Sequence, residues 1–360
     1  MTTDSTRIRL LVLFGGKSAE HDVSVMSATN VMAALDPKKY DAVPVFISRD
    51  GRWHLSSFAN GVLDRSGNGD EVMLAPGGNG RLLAMTADGI SRELAPVDAM
   101  FPVLHGLPGE DGSVQGYADV AGVALIGCGI AGSANALDKD LAKRLLSQAG
   151  IPNARSVTIH PGAAPAFDEL AATLGTPIFI KPARQGSSVG VSKVTGAADY
   201  DAALATGFAH DRKLIAEEFI KAREIECAVL EAPDGSLFVS RPGEIAPAEH
   251  SGFYTYDAKY VDADGAAIIV PAELPKDVEA RLQAMAADAF RAVGCDGMAR
   301  VDFFVTSDMT MMINELNTIP GFTNISMYPK AMAASGVDYP ELIERLIIHG
   351  LSRKSQHTKV

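Results

Sequence analysis

The segment MARVDFFVTSDMTMMINELNTIPGFTNIS, residues 298–326, predicts a β-hairpin followed by a tight bend. Branched and aromatic residues favour strands over Ala299–Thr306 and Met309–Leu316. Ser307-Asp308 lies between them and is typical of a two-residue turn. The segment therefore predicts an antiparallel strand pair in the C-terminal part of the chain.

Four polar residues of this hairpin are predicted to share one face. A two-residue turn sets Arg300 opposite Glu315 and Asp302 opposite Ile313, and side chains alternate along a strand. Arg300, Asp302, Glu315 and Asn317 would then project to the same side. Carboxylate and amide oxygens suit Mg²⁺, which also takes oxygens from substrate phosphates. An arginine beside them can stabilise negative charge that develops in a transition state.

An exposed polar face with cross-strand salt bridges is the alternative interpretation of these residues. The next residues favour a functional site. Pro320-Gly321 predicts a bend, and such a bend can present backbone N–H groups to an anion.

A second motif, KPARQGSSVG at residues 181–190, predicts a phosphate-binding loop. Lys181 ends a predicted strand, and the glycines and serines after it let the backbone lie close to phosphates. The order is the reverse of a Walker A loop, and an ordinary hairpin tip is the alternative. Lys139 strengthens the functional interpretation, because it lies at the start of the preceding helix, which is predicted to begin at Asp138.

The N-terminal motif LVLFGGKSAEHDVS, residues 11–24, predicts the start of an open α/β sheet. A strand over Ile8–Phe14, a helix capped by Ser18 and a strand over Val43–Ile47 form a βαβ unit, so the sheet should be parallel. Glu20 in the first helical turn would attract an amine, although it could simply complement the helix dipole.

Two further stretches are candidates for loops near a site. His105 follows a predicted strand and opens the glycine-rich run HGLPGEDGS, where a structural histidine is the alternative. Residues 243–271 are rich in Gly, Asp and Tyr without periodicity, and so long a loop is normally functional or disordered.

The composition bounds the possible functions. With 360 residues, the chain should form two or three domains at roughly 100–200 residues each. A formal net charge of -12 disfavours non-specific binding to nucleic acid or anionic membranes. Cys128, Cys227 and Cys295 have no metal-ligand spacing and are expected to be packed thiols. No targeting or membrane-spanning segment is evident, so we expect a cytoplasmic protein.

Taken together, the motifs resemble those of the D-alanine–D-alanine ligase family over about residues 9–346. They are, in chain order, GGKSAEHDVS (15–24), HGLPGEDGSVQG (105–116), KPARQGSSVG (181–190), YDAKY (256–260), Arg300-Val301-Asp302 and NELNTIPGFTNISMYP (314–329). The resemblance implies a three-domain ATP-grasp fold, both α/β and α+β. Its expected domains are 1–133 (a parallel α/β domain), 134–215, and 216–360 with a mobile lid at 243–271.

The resemblance also implies roles at the matching positions. The expected ligands of two Mg²⁺ ions, for which Mn²⁺ could substitute, are Asp302, Glu315 and Asn317. The expected ATP contacts are Lys139, Lys181, Ser188, Glu217, Phe219, Ile220, Glu224 and Asn314. The expected catalytic residues are Glu20, Ser187, Tyr260, Arg300 and Gly321. The expected contacts to the two D-alanine substrates are His105, Lys259, Ser326 and Met327.

The implied reaction is the ATP-dependent joining of two D-alanines through a D-alanyl phosphate, which supplies peptidoglycan synthesis. A D-lactate or D-serine ligase is the nearest alternative, although the Lys259-Tyr260 pair argues against lactate. Another ATP-grasp carboxylate–amine ligase and a non-catalytic nucleotide-binding protein remain open. Met327 and Glu218 depart from the common Leu and Lys of the family. The resemblance further implies a homodimer.

Overall fold

The computed structural model describes residues 7–86, 88–89, 91–247 and 266–357. Its N-terminal strands are β1 (Ile8–Gly15), β2 (Tyr40–Ile47), β3 (Trp53–Leu55), β4 (Phe58–Ala59), β5 (Val62–Leu63), β6 (Glu71–Leu74), β7 (Leu82–Met85), β8 (Ser91–Leu94), β9 (Ala99–Pro102) and β10 (Ala124–Leu125). Eight of them form one sheet in the order β10-β9-β1-β2-β3-β6-β7-β8, and β4 and β5 form a small separate ribbon.

The predicted βαβ opening is confirmed, because β1 pairs in parallel with both β2 and β9. The sheet is mixed, however, since β3 and β6–β8 add antiparallel pairs.

The predicted cap of the first helix is wrong. That helix, α1 (His21–Ala34), has Glu20 at its N-cap position. Ser18 lies two residues earlier, where its hydroxyl accepts a bond from the Glu20 amide.

Two more sheets follow. The strands β11 (Ser156–Ile159), β12 (Ile178–Pro182), β13 (Ser192–Val194) and β14 (Leu214–Glu218) form an antiparallel sheet in the order β11-β14-β12-β13. The strands of the C-terminal sheet are β15 (Arg223–Glu231), β16 (Leu237–Val239), β17 (Gly243–Pro247), β18 (Ala266–Ile269), β19 (Met298–Val305) and β20 (Met311–Asn317). Their order is β18-β17-β15-β19-β20, with β16 beside β15.

The helices cover these sheets and bury four apolar clusters. They are α2 (Ser113–Val120), α3 (Ile130–Leu137), α4 (Lys139–Gln148), α5 (Phe167–Leu174), α6 (Ala197–Phe208), α7 (Lys276–Val293), α8 (Met327–Ala334) and α9 (Tyr339–His357). Asp138, predicted as the first residue of α4, is instead its N-cap, and its carboxylate accepts from the Leu141 amide. The three cysteines are buried free thiols, as predicted. In the described ranges, no helix has the length and apolar character to cross a bilayer.

The predicted register of the β19–β20 hairpin is wrong by two residues. The Thr306 amide donates to the Thr310 carbonyl (3.0 Å), so the turn is longer than Ser307-Asp308. This lengthening moves the register by one residue. A β-bulge next to Asp302 moves it by one more.

Arg300 therefore lies opposite Asn317, and Asp302 opposite Glu315. Because side chains alternate with a period of two, a shift of two residues leaves the same side chains on the same face. The predicted shared face therefore survives the error in register.

Residues 243–271 are also more regular than predicted. Gly243–Pro247 and Ala266–Ile269 are antiparallel strands rather than loop. Lys259 and Tyr260 lie outside the described residues.

Candidate active site

A cavity of about 290 Å³ lies between the β11–β14 sheet and the β19–β20 hairpin. All eight residues predicted to contact a nucleotide line it: Lys139, Lys181, Ser188, Glu217, Phe219, Ile220, Glu224 and Asn314. They come from four separate parts of the chain. The tertiary structure therefore gathers the predicted set into one cleft.

Two lysines line the cleft close to carboxylates. The Lys139 ammonium donates to the Gln185 carbonyl (2.7 Å), and its Nζ lies 3.4 Å from Oε2 of Glu315. The Lys181 ammonium donates to Oε1 of Glu217 at 2.5 Å. Lysine ammonium groups on a flexible stem suit the neutralisation of phosphates.

Lys143 lies on the interior side of the Lys181–Glu217 ion pair and was not predicted as a site residue. Its Nζ lies 2.7 Å from Oε2 of Glu217 and donates to the Ala154 carbonyl at 2.9 Å. Burial lowers the pKa of the Lys143 amine, while Glu217 acts in the opposite direction. Burial also acts to raise the pKa of the Glu217 carboxyl, but Lys181 and Lys143 outweigh it and hold that pKa below its ordinary value. The only signal in the sequence was the spacing of four residues from Lys139, which puts both lysines on one helix face.

The other end of the cleft is apolar. The Phe219 side chain is 44% exposed, and its ring centroid lies 6.0 Å from that of Phe179. Lys193 places its Nζ 5.1 Å from the Phe219 ring. Phe179 lies two residues before Lys181 on β12 and was not predicted as a site residue. A flat aromatic group could stack against such an exposed ring.

The polar face of the hairpin carries a dense charge network. The Arg300 guanidinium donates to both carboxylate oxygens of Asp302, at 2.7 and 2.6 Å. Its Nε also lies 2.9 Å from Oε2 of Glu226, a residue that sequence reasoning missed. The Asn317 amide donates to Asp302 at 2.9 Å. The bulge re-aims the chain, so the adjacent residues Asn314 and Glu315 both face the cleft.

This network contains carboxylate and amide oxygens of the kind that bind Mg²⁺. Within the part of the chain that the structure describes, no three His, Cys, Asp or Glu side chains gather into a metal-binding group. The face instead offers the carboxylates of Asp302 and Glu315 with the Asn317 amide; Asp302 is buried, and Glu315 and Asn317 are half-buried. Mg²⁺ usually binds one or two carboxylates and takes the rest of its ligands from phosphates and water, so these residues fit it.

The KPARQGSSVG loop contacts the start of α1 in the N-terminal part of the chain. The Ser187 hydroxyl donates to Oε1 of Glu20 at 2.5 Å. Ser187 and Ser188 both have positive φ, at 50° and 60°. Positive φ is uncommon outside glycine and tends to occur at ligand sites. Glu20 is only 9% exposed, so the strained loop and the start of α1 enclose one carboxylate.

Two side chains of the HGLPGE loop hold the bend at the end of β20. Nδ1 of His105 lies 3.0 Å from the Ile319 carbonyl, so Nδ1 carries the proton. Burial lowers the pKa of His105, which keeps the ring neutral, although Glu20 opposes the shift. The Glu110 carboxyl accepts from the Gly106 amide (2.7 Å) and from the Ile319 amide. Burial and the charge of Glu20 raise the pKa of Glu110 to about 8.

The bend after Ile319 is closely packed. A Cβ on Gly321 would lie 2.5 Å from the Ser326 hydroxyl, so only glycine fits there without a shift. The Ser326 hydroxyl accepts from the Thr323 amide at 3.0 Å. Met327 is the first residue of α8, and its amide therefore has no partner within the helix. The bend thus brings Gly321, Ser326 and the start of α8 together.

Two family models match the chain. The model described as D-ala D-ala ligase N-terminus matches residues 9–128, and the model described as D-ala D-ala ligase C-terminus matches residues 145–348.

Relatives and solved structures agree with these matches. The D-alanine–D-alanine ligase A of Brucella melitensis biotype 1 is 63% identical over 351 residues, which cover 98% of this chain and 99% of the relative. The D-alanine–D-alanine ligase of Coxiella burnetii has a TM-score of 0.84 at 33% identity, covering 98% and 97% of the two chains. The VanG D-Ala:D-Ser ligase of Enterococcus faecalis has a TM-score of 0.82 at 36% identity, covering 96% and 99%.

Proposed function

The chain belongs to the D-alanine–D-alanine ligase family, and we propose that its cleft joins two D-alanines through a D-alanyl phosphate. The protein is an ATP-dependent ligase, and its dipeptide product serves peptidoglycan synthesis. One observation carries the residue-level proposal. The eight nucleotide-contact candidates line a single cavity that ends at Glu315, beside the polar face of the β19–β20 hairpin.

The first step activates the carboxylate of the first D-alanine, which is otherwise a poor electrophile. A carboxylate oxygen of the first D-alanine attacks the γ-phosphorus of ATP, the bond to the β,γ-bridging oxygen breaks, and ADP leaves. Phosphoryl transfer depends mainly on positioning and charge neutralisation. Lys139 and Lys181 hold the phosphates, and Arg300 faces the charge that develops on the transferred group. Phe219 and Ile220 contact adenine, and Glu224 the ribose.

The second step forms the peptide bond. The amine of the second D-alanine, having lost a proton, attacks the acyl carbon, and the tetrahedral intermediate then expels phosphate. Arg300 and the Gly321 amide stabilise its oxyanion, as preorganised donors do in acyl transfer. The hydroxyl of Ser326 and the amide of Met327 hold the second substrate's carboxylate, together with Lys259.

Asp302, Glu315 and Asn317 would hold two Mg²⁺ ions, with Mn²⁺ as a possible substitute. When bound, these ions would neutralise phosphate charge and orient the phosphates for in-line transfer. The protein's own contribution is to keep the three ligands on one face. Pairing between Arg300 and Asp302 holds the arginine next to them.

Glu20 and its partners receive the first D-alanine. Its buried carboxylate would accept the substrate's ammonium group, and Ser187 orients that carboxylate. His105 lies nearby as a neutral ring that also fixes the Ile319 bend. Tyr260, on the proposed lid between β17 and β18, would join Glu20 and Ser187 and exclude water, because an acyl phosphate is otherwise hydrolysed.

Replacing Glu20 with glutamine should raise KM for the first D-alanine by about 10²-fold, because a buried charge partner is worth roughly 2–5 kcal/mol. KM for ATP should stay within about twofold, since Glu20 is not among the residues lining the nucleotide cavity. Steady-state kinetics with each substrate varied separately would measure both. An equal increase in both constants would contradict this role.

Phosphate release with ATP and Mg²⁺ tests the proposed function. We expect release with D-alanine, and only background release with L-alanine or without an amino acid. Background release in all three reactions would favour a non-catalytic nucleotide-binding protein. Competition between D-alanine and D-serine or D-lactate would then identify the second substrate, and the relation to VanG makes D-serine the more relevant competitor.

We further propose a homodimer in the cytoplasm, where ATP is available. The proposed domains are 1–133, 134–215 and 216–360. Residue 215 falls inside β14, so the second boundary fits better after Glu218, where that strand ends. Light scattering of the purified protein would test the dimer.

A further inference from the structure

Three charged groups form a chain that leads from the protein interior to the nucleotide cleft. Lys143 on α4 contacts one oxygen of Glu217 at 2.7 Å, and Lys181 contacts the other at 2.5 Å. Lys143 is 5% exposed and Glu217 is 3% exposed, whereas Lys181 lines the cleft. One carboxylate therefore serves two lysines, of which only one can reach a ligand.

We propose that Lys143 is a positioning residue of the ATP site, which satisfies Glu217 from behind and so leaves the charge of Lys181 available to the nucleotide phosphates. This inference rests on the proposed function of the cleft and deepens it. Lys143 touches no substrate and acts only through its two neighbours.

The charge balance gives the physical reason. With both lysines charged, the group of three carries a net charge of +1, and the excess lies at the cleft. Without Lys143, Glu217 and Lys181 form a neutral pair, and Lys181 is drawn toward the carboxylate. An ion pair in a part-buried site interacts more strongly than one in water, so a phosphate would then have to compete for Lys181.

The position of Lys143 is fixed independently of Glu217. Its ammonium also donates to the Ala154 carbonyl at 2.9 Å, next to the start of β11. Helix α4 sets it one turn after Lys139, which contacts the Gln185 carbonyl of the phosphate loop. The same helix face thus supplies one lysine to the cleft and another to the interior behind it.

Lys143→Met tests the proposal, because it keeps the length of the side chain and removes its charge. KM for ATP should rise about tenfold or more, as expected for the loss of roughly 1.4 kcal/mol of phosphate binding, while KM for D-alanine stays within about twofold. Lys143→Arg retains the charge and should remain close to the wild type. Thermal unfolding of each variant checks that it is folded.

The double variant Lys143→Met/Glu217→Gln separates charge from packing. It restores the net charge of +1, since Lys181 then faces a neutral amide, and it leaves no buried charge unpaired. Glu217 itself lines the ATP cleft, so the double variant is compared with Glu217→Gln alone, and the added loss of Lys143 should change KM for ATP by no more than about threefold. A lysine that acts on the ATP site independently of Glu217 would still raise KM for ATP in that neutral background.

Two results would overturn the inference. One is an unchanged KM for ATP in Lys143→Met, and the other is a double variant whose KM for ATP lies about tenfold or more above that of Glu217→Gln alone. If Lys143→Met does not fold, the comparison of the double variant with Glu217→Gln decides, since a rise of about tenfold in KM for ATP there contradicts the proposal. Failure of the proposed function is distinct, because wild-type protein would then release no phosphate in response to D-alanine.

Discussion

Arg300→Ala is expected to lower kcat by about 10²–10³-fold, the usual effect of removing one oxyanion donor. Arg300 lies on the polar face of the hairpin, bound to Asp302 and Glu226. In the proposed mechanism its charge acts both when phosphate is transferred and when it leaves. Because adenine and the remaining phosphate contacts are retained, the affinity for ATP should change by less than about tenfold.

The control for this variant is Arg241→Ala. Arg241 also pairs with a glutamate, Glu279, at 2.7 Å, but it does not line the cleft. Turnover of the control should stay within about twofold of the wild type. Near-normal turnover of Arg300→Ala, measured by phosphate release at saturating substrates, would refute the proposed role.

Glu315→Gln should lower kcat by about 10³-fold, an effect comparable to or larger than that of Arg300→Ala. A metal ion that neutralises phosphate charge is worth several kcal/mol, and about 1.4 kcal/mol corresponds to a tenfold change in rate. Glu315 stands opposite Asp302 and 3.4 Å from Lys139, so the substitution removes a carboxylate from the proposed metal site without changing its size.

Titration with Mg²⁺ and Mn²⁺ checks that prediction. The variant should need a higher metal concentration for half-maximal activity, whereas Glu279→Gln, the matched control outside the cleft, should follow the wild type. An unchanged metal dependence in Glu315→Gln would remove this residue from the metal site.

The face of the β19–β20 hairpin was predictable, although its register was not. Alternation with a period of two depends only on the local strand pattern. The register depends on the length of the turn and on the bulge between Asp302 and Phe303. No residue type in the sequence indicated either feature. Two single-residue shifts happened to add to an even number, which preserved the shared face of Arg300, Asp302, Glu315 and Asn317.

Two of the residues that were not predicted from the sequence are supporting partners. Lys143 and Glu226 lie behind Glu217 and Arg300, and their contacts join different elements. Neither belongs to a motif whose spacing signals a ligand. Ser187 and Glu20 are separated by more than 160 residues, and only the resemblance to the family placed them together before the structure did.

Transfer of ¹⁸O from the carboxylate of D-alanine to phosphate tests the central claim most directly. If the cleft activates that carboxylate by phosphorylation, one of its oxygens stays with the phosphorus when the amine displaces phosphate. Mass spectrometry of the released phosphate should therefore find one ¹⁸O for each dipeptide formed. Unlabelled phosphate beside newly formed dipeptide would contradict activation through a D-alanyl phosphate.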